Sequence, residues 1–351
     1  MECLFLDKVS WEYSQGLYHA AAHLGREMLL ILRPATPYVC IGCHQDAQQV
    51  IDLEYAEKHQ IPVFRREVGG GAVYLDGGQL FYQLILRAEH PEVPAAKEAF
   101  YRKFLAPVVE TYRTFGVDAV YKPVNDILAN NRKVSGNGAA EINDMVVLVG
   151  NFISQFDYEA MSRVLRVPDE KFRDKVYKTL QENLSTIERE TGAVPANADL
   201  AYTLVGAFKP LLGELNISTT ADDELLSAAE TLMAELHTPE WLLENDRRQV
   251  EISSVKIREG VAVIQNMVKT PGGLLQMTAV NNEGTLCDVH IAGDFFFYPQ
   301  DLLPDLEKHL EGVPANKQSV SEAAASFYKQ FEVESPGLAP EDFARVIFPG
   351  V

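Results

Sequence analysis

Residues Arg65 to Leu86 read RREVGGGAVYLDGGQLFYQLIL, and the three consecutive glycines at 69–71 constrain the fold more than any other stretch. Glycine has no side chain to pack and loses the most backbone entropy on ordering. A run of three therefore belongs where the backbone takes φ > 0, or where its N–H groups come within reach of a ligand. Arg65 and Arg66 stand just before the loop, which makes an anion the natural ligand. A surface turn between two strands accounts for the glycines equally well on this stretch alone.

At 351 residues the chain exceeds one ordinary core, and two domains are expected. No apolar run approaches the ~18–20 residues that span a bilayer. The start, MECLFLDKVSWEYSQ, lacks a basic segment followed by an apolar one, so the chain is expected to be cytoplasmic. Four cysteines (Cys3, Cys40, Cys43, Cys287) imply no disulfide framework. The formal net charge of -19 disfavours nucleic acid and anionic membrane as partners. It equally repels a nucleotide, unless basic residues are gathered at one place. The candidates for that gathering are Arg65, Arg66, Lys122, Arg132 and Lys133.

Along the chain, short strands are expected at Leu4–Asp7, Leu29–Leu32, Tyr38–Ile41, Val73–Leu75 and Leu80–Leu86. Helices are expected from about Trp11 to Glu27, capped by Ser10, and from Asp52 to Lys58. Phe100, Phe104, Val108 and Tyr112 fall on one face of a helix from Ala95 to Phe115, which Pro107 should kink or divide. Asp126–Ala129 and Arg132–Val134 flank Asn130-Asn131, a type I′ hairpin turn, and Met145–Ile153 is a longer strand. Residues from Tyr158 to Leu236 read as mainly helical, with helices at Tyr158–Leu165, Ala198–Leu212 and Asp222–Leu236, and Thr238-Pro239-Glu240-Trp241 closes that region. The charged Glu244–Arg248 reads as a linker. A second unit of strands (Ile252–Ile257, Val261–Met267, Leu274–Val280, Thr285–Ile291) and helices (Pro299–Leu310, Val320–Phe331, Pro340–Val346) begins near Val250. Strands and helices mix without regular alternation, which predicts an α+β fold with mixed or antiparallel sheets and flanking helices. The expected domains are 1–245 and a small α+β domain, 246–351.

The commoner chemical signatures are missing. No G-x-x-x-x-G-K-[ST], no G-x-G-x-x-G between strand and helix, no H-E-x-x-H and no G-x-S-x-G occurs. Cys40-Ile41-Gly42-Cys43 ends an apolar strand rather than opening a helix, which favours a structural role over redox or zinc chemistry. Two glycine-bearing segments with basic residues remain, Arg65–Tyr74 and Asn125–Gly138. Lys133 beside Ser135-Gly136-Asn137-Gly138 reads as a solvated hairpin lysine by itself. Paired with a glycine loop and Arg66, it can clamp a phosphate and a carboxylate together.

RR-x-x-GGGAVY-x-D at Arg65–Asp76, followed by NDILANNRKVSGN at Asn125–Asn137, resembles the lipoate–protein ligase A family, within the biotin ligase and octanoyltransferase superfamily. KTPGGLL at Lys269–Leu275 and VHIAGDFFFYP at Val289–Pro299 are similar to the accessory C-terminal domain of such ligases. The resemblance implies a biotin/lipoate ligase-like catalytic domain and a two-step reaction. Lipoate, or octanoate, is activated by ATP with Mg2+ to acyl-AMP. The acyl group then passes to a lysine of a lipoyl carrier domain, either a glycine-cleavage H-like protein or a 2-oxoacid dehydrogenase E2. By position, Lys133 matches the family's catalytic lysine, Arg66 its phosphate-contacting arginine, and Gly69, Gly70, Gly71, Ala72, Val73 and Tyr74 the backbone along the nucleotide. Asn125 and Asp126 match residues near adenylate and metal, with Asp126 the Mg2+ candidate, and Ser135 and Gly136 complete the set.

The chain departs from the family pattern in four places. Glu67-Val68 replaces a common Ser or Thr pair, Leu75 stands in place of the His in an aromatic-His-Asp element, and Leu148-Val149-Gly150-Asn151 replaces His-His-Gly-Thr. Cys43 replaces an Arg. Glu67 places a negative charge beside Arg66 and weakens anion binding unless it points away. Two alternatives to ligation stay open: acyl transfer between carriers, and non-catalytic binding of a lipoyl carrier. Transfer in this superfamily uses a cysteine nucleophile, and no cysteine lies between the glycine loop and Ile153. An intact Arg66 and Lys133 argue against a pure binder. Biotin ligation lacks its arginine-glycine-rich loop.

Overall fold

The structure is a computed structural model that describes residues 1–167, 169–246, 255–258 and 261–348. Arg247-Arg248 of the expected linker, the start near Val250 and the first part of the Ile252–Ile257 strand lie outside the described residues. The chain divides into two compact units. The first holds Met1–Ile41, Ala47–Val68 and Ala72–Glu244; the second holds Asn245–Val351 together with the short segments Gly42–Asp46 and Gly69–Gly71.

The elements of the first unit run β1 (Glu2–Val9), α1 (Trp11–His23), β2 (Met28–Pro34), β3 (Tyr38–Ile41), α2 (Ala47–Val50), α3 (Leu53–Lys58), β4 (Val63–Arg65), β5 (Val73–Leu75), β6 (Gln79–Arg87) and α4 (Lys97–Thr114). They continue through β7 (Val120–Lys122), β8 (Asp126–Ala129), β9 (Arg132–Ser135), β10 (Asn137–Ile142), β11 (Met145–Ile153), α5 (Tyr158–Val164), α6 (Arg173–Asn183), α7 (Ile187–Thr191), α8 (Asn197–Leu212), β12 (Asn216–Ser218), α9 (Asp223–Leu236) and α10 (Pro239–Leu242).

A six-stranded sheet in the order β10-β11-β6-β2-β1-β12 is the frame of this unit. Its β1 pairs parallel with β2 and β12, while β2-β6-β11-β10 pair antiparallel, so the sheet is mixed as expected. Central β6 is buried along its length up to Arg87, which explains a run that does not alternate. Against the sheet, Phe100, Phe104, Val108 and Tyr112 of α4 and Leu204 and Phe208 of α8 form one core with Leu29, Tyr82, Leu148 and Phe152. Pro107 neither divides α4 nor ends it. It removes one hydrogen bond, while four aromatic and aliphatic side chains of the same helix stay buried on either side. Helix α1 stops at His23 rather than near Glu27, because Gly25 takes φ +66. It packs on α9, where a Cβ on Gly16 would come within 2.7 Å of Met233 Cγ.

Two small sheets carry the segments singled out above. In one, β4-β3-β5, Ile41 pairs with Arg65 on one side and Cys40 with Val73 on the other, so the strands before and after the glycine loop flank the same central strand. In the other, β7-β8-β9, Asn130 and Asn131 take φ +47 and +62, the type I′ hairpin their sequence predicts.

The second unit contains the antiparallel sheet β13 (Val255–Arg258), β14 (Val261–Thr270), β15 (Gly273–Asn282) and β16 (Thr285–Gly293), followed by α11 (Leu303–Leu310), α12 (Lys317–Gln330) and α13 (Pro340–Ile347). Alternate residues of β15 and β16 (Leu275, Met277, Ala279, Val289, Ile291) meet Leu306, Phe327 and Phe343 in its own core. No helix among the described residues is long and apolar enough to cross a membrane.

Candidate active site

The β8–β9 hairpin sets Lys133 opposite Asp126, with Nζ 2.7 Å from Oδ1, and both side chains about one-third exposed. A lysine held this way is oriented without being sequestered, and a phosphate or carboxylate oxygen can compete for it. Ser135 follows, fully buried, and its hydroxyl donates to Asn151 O at 2.7 Å, with Asn137 Oδ1 also close at 3.1 Å. The Asn125 and Asn137 side-chain amides each donate to the other's main-chain carbonyl, Asn137 Nδ2 reaching Asn125 O at 2.8 Å. Tyr82 OH donates to Asn137 Oδ1. A Cβ on Gly150 would collide with both of those groups, so Gly150 is what lets them meet.

From Gly136 a chain of amides runs to the glycine-loop strand. Gly136 N–H donates to Asn151 Oδ1 at 2.8 Å, Asn151 Nδ2 donates to Gln79 Oε1 at 2.7 Å, and Gln79 Nε2 donates to Tyr74 O at 3.1 Å. Asn125, Asp126, Lys133, Ser135, Gly136 and Tyr74 are thereby joined within one unit. Sequence reasoning did not single out Gln79, Tyr82 or Asn137 for a role, and noted Asn151 only as a departure. The available signal was the polar residues interrupting otherwise apolar β6 and β11, since a buried amide needs partners.

The charged residues ahead of the glycines diverge. Arg65 is 1% exposed, and its guanidinium donates to Trp241 O at 3.0 Å and Leu242 O at 2.6 Å. Trp241 Nε1 answers by donating to Arg65 O at 2.8 Å. Arg65 therefore caps the end of α10. Arg66 is buried beside β3, with Nη1 donating to Cys40 O at 3.3 Å and to Cys40 Sγ at 3.6 Å. Burial pushes the Cys40 thiol up, and the adjacent guanidinium only partly offsets this. Glu67 turns to α1, with its carboxylate 3.3 Å from His23 Nε2 and 3.6 Å from His19 Nε2. Burial raises the Glu67 carboxyl, but the His23 hydrogen bond and the two imidazoles outweigh that and hold it below the ordinary range.

Within the second unit, the triple glycine has a packing reason of its own. Gly70 takes φ +94 and its N–H donates to Phe295 O at 3.3 Å. A Cβ on Gly69 would lie 2.9 Å from Phe295 O, and one on Gly42 would collide with Gly70 O. Gly71 is open by comparison, its nearest neighbours to such a Cβ being Asp294 atoms at 3.6 Å. The φ > 0 expected of a glycine is found at Gly70, and at Gly69 and Gly70 the group that approaches closely is the protein's own main chain rather than a ligand.

Among the described residues no group of three or more His, Cys, Asp or Glu side chains is arranged to hold a metal ion. Asp126 is a single carboxylate, which suits Mg2+ only in the manner of nucleotide sites, where phosphates supply most ligands. A cavity beside Asp76 is lined by Asp157 and Glu159 as well as Tyr158 and Tyr177, the wrong sign for a nucleotide. Burial pushes the Asp76 carboxyl up against the pull of Gly78 N–H and Gln79. Cys3 is pushed up to about 12 by burial, so neither it nor Cys40 is a ready thiolate.

A mixed sheet, with the strand after the glycines and the lysine hairpin on two small sheets tied to it by buried amides, is the frame on which the comparisons bear. Residues 8–209 match the lipoyl protein ligase A/B catalytic domain, and the chain belongs to that family. Residues 263–347 match the bacterial lipoate protein ligase C-terminus. The chain is 29% identical over 255 residues to lipoate-protein ligase A subunit 1 of Thermoplasma acidophilum, covering 69% of this chain and 94% of that one. It is 24% identical over 295 residues to lipoate–protein ligase 2 of Staphylococcus aureus, covering 81% of each. It is also 24% identical over 230 residues to the octanoyltransferase LipM of Halalkalibacterium halodurans, covering 58% of this chain and 83% of that one. Among solved structures, a bipartite lipoate protein ligase of T. acidophilum, described with its E2 lipoyl domain, aligns with TM-score 0.60 at 25% identity over 71% of this chain and 98% of that one. Lipoate-protein ligase A bound with ATP aligns with TM-score 0.57 at 23% identity, covering 69% and 99%. LipL1 of P. falciparum, solved with lipoate, shares the fold with TM-score 0.65 at 15% identity, covering 92% and 94%.

Proposed function

We propose that the chain is an ATP-dependent lipoate–protein ligase, with residues 1–245 the catalytic domain and 246–351 an accessory domain. The observation that carries this reading is the Lys133–Asp126 pair, presented on a hairpin whose neighbouring backbone is fixed by buried amides. A carboxylate oxygen of lipoate or octanoate attacks the α-phosphorus of ATP, pyrophosphate leaves, and acyl-AMP forms. The ε-amine of a carrier lysine then attacks the acyl carbonyl, loses a proton, and AMP departs. Negative charge grows on phosphate oxygens in the first step and on the carbonyl oxygen in the second. Lys133 supplies a fixed positive charge for both, and Arg66 one for the phosphates. The backbone of Ala72, Val73 and Tyr74 follows the nucleotide, with Asn125, Ser135 and Gly136 completing its contacts. Asp126 would hold the Mg2+ that accompanies ATP, whose charge would offset that of the phosphates. Glu67 directs its carboxylate to His23 and His19 on α1.

A second reading, acyl transfer between carriers, is favoured by the relationship to octanoyltransferase LipM. The test is incubation with lipoate or octanoate and a panel of lipoyl domains of H-protein and E2 type, read by intact mass. ATP-dependent addition of one acyl group to a carrier lysine is the expected result. Transfer from an acylated carrier without ATP would replace ligase by transferase.

A further inference from the structure

We propose that Gln79 and Asn151 are positioning residues for acyl-adenylate formation, an inference that rests on the ligase reading above. Their amides form one oriented link between the main chains of Gly136 and Tyr74, at 2.8, 2.7 and 3.1 Å. The two ends differ chemically, one an N–H and the other a carbonyl, so neither amide can reverse without setting donor against donor or acceptor against acceptor. The strand register supports the link. Asn151 pairs with Phe81 and Gln79 with Ile153, which makes the two amides diagonal neighbours on one face of β6 and β11. Gln79 is 1% and Asn151 8% exposed, so water offers no replacement partner. The Asn151 carbonyl is held as well, by Ser135 Oγ at 2.7 Å and Tyr112 OH at 3.3 Å.

Such a link fixes how far Gly136, three residues after Lys133, stands from Tyr74, which ends the backbone run assigned to the nucleotide. A purely structural tie would serve as well between any two strands. This one ends on main-chain atoms of the two segments that must meet one ligand. Losing it lets those segments drift, and a misplacement of about 1 Å costs on the order of 100-fold in rate.

The test uses the full chain and compares wild type with Asn151→Val and Gln79→Met, each of which removes one amide of the link. Pyrophosphate release with ATP and lipoate is followed for kcat and KM, alongside thermal unfolding. Asn151→Val should lose roughly 10- to 100-fold in kcat, with KM and the folded fraction little changed. Gln79→Met should lose as much, and Gln79→Met with Asn151→Val no more than the worse single change, since one link is broken once. A folded Asn151→Val chain with wild-type kcat, or losses that multiply in the double variant, would overturn the inference. If Asn151→Val does not fold, Gln79→Met alone decides, and wild-type kcat in it overturns the proposal. A wild-type chain that releases no pyrophosphate with any acyl substrate overturns the ligase reading and this inference with it.

Discussion

Between Asn125 and Asn151 the polar side chains hold one another: Asn125 with Asn137, Ser135 with Asn151, Tyr82 with Asn137, and Asn151 with Gln79. Between Arg65 and Glu67 they part company, Arg65 to the end of α10, Arg66 to Cys40 on β3, and Glu67 to His19 and His23 on α1. The first region is a closed set of neutral groups, the second a set of charges each anchored to a different element. Neutral amides and hydroxyls fix distances and are indifferent to pH. Dispersed charges tie a strand end to three neighbours, and they respond to protonation and salt. The comparison assigns geometry to the hairpin region and charge matching to the arginine region, with Lys133 the point where charge is set on the neutral frame.

The largest expected effect is therefore at Lys133. Lys133→Ala should lower adenylation by about 10³-fold, close to 4 kcal/mol in barrier, as removal of a fixed charge at a developing oxyanion does. Stability should change by less than about 1 kcal/mol, because the ion pair with Asp126 is partly exposed. Pyrophosphate release and urea unfolding on the same sample check both halves. Turnover close to wild type would remove Lys133 from the mechanism.

Next is Arg65→Met, which separates the two arginines. It strands the Trp241 and Leu242 carbonyls in a buried setting and should cost about 3 kcal/mol in urea unfolding. Adenylation per folded molecule should stay within a factor of about three, since Arg65 makes none of the assigned contacts. A selective rise in KM for ATP with stability unchanged would return Arg65 to the site. Gly150→Ala probes the neutral frame in the same way. Its methyl would force Tyr82 OH and Asn137 apart, costing about 2 kcal/mol, the usual range for overpacking. Here activity should fall along with stability, because Asn137 also holds Asn125.

How far these distinctions were readable in the sequence follows from the range of the interactions. The type I′ turn at Asn130-Asn131 is a property of two residues, and it formed as predicted. The α+β class and the two glycine-bearing segments were equally local. Arg65 and Arg66 look alike in sequence, because what separates them is Trp241-Leu242, some 176 residues away. Glu67 read as a liability beside Arg66 for the same reason, its partners lying on α1. The amide link was hidden differently: Gln79 and Asn151 are diagonal neighbours only once β6 and β11 pair, and an isolated Gln or Asn in an apolar run has no visible register. Helix α6 escaped notice because most of its side chains are exposed and its apolar stripe is only Val176, Tyr177 and Leu180 among polar and charged neighbours.

The smallest effect tests the titratable half of the comparison. The His23 imidazole is pulled up by its hydrogen bond to Glu67, partly opposed by burial and helped by Glu235. A raised histidine stabilises fully below its unfolded value of about 6.5, and loses that contribution as pH rises through the folded value. Glu67, held low, stabilises fully above its unfolded value of about 4.3 and loses that contribution only as pH falls through its folded value. The pair is thus complete between roughly pH 4.5 and 6.5 and fades above. His23 is 38% exposed, so the pair is worth about 0.5–1 kcal/mol at most. His23→Gln should therefore cost that much in urea unfolding at pH 6 and close to nothing at pH 9. Asn151→Val in the neutral network should cost the same at both. A His23→Gln loss that does not change with pH would mean that packing, not charge, holds Glu67 to α1. The arginine region would then be fixed by the same means as the hairpin.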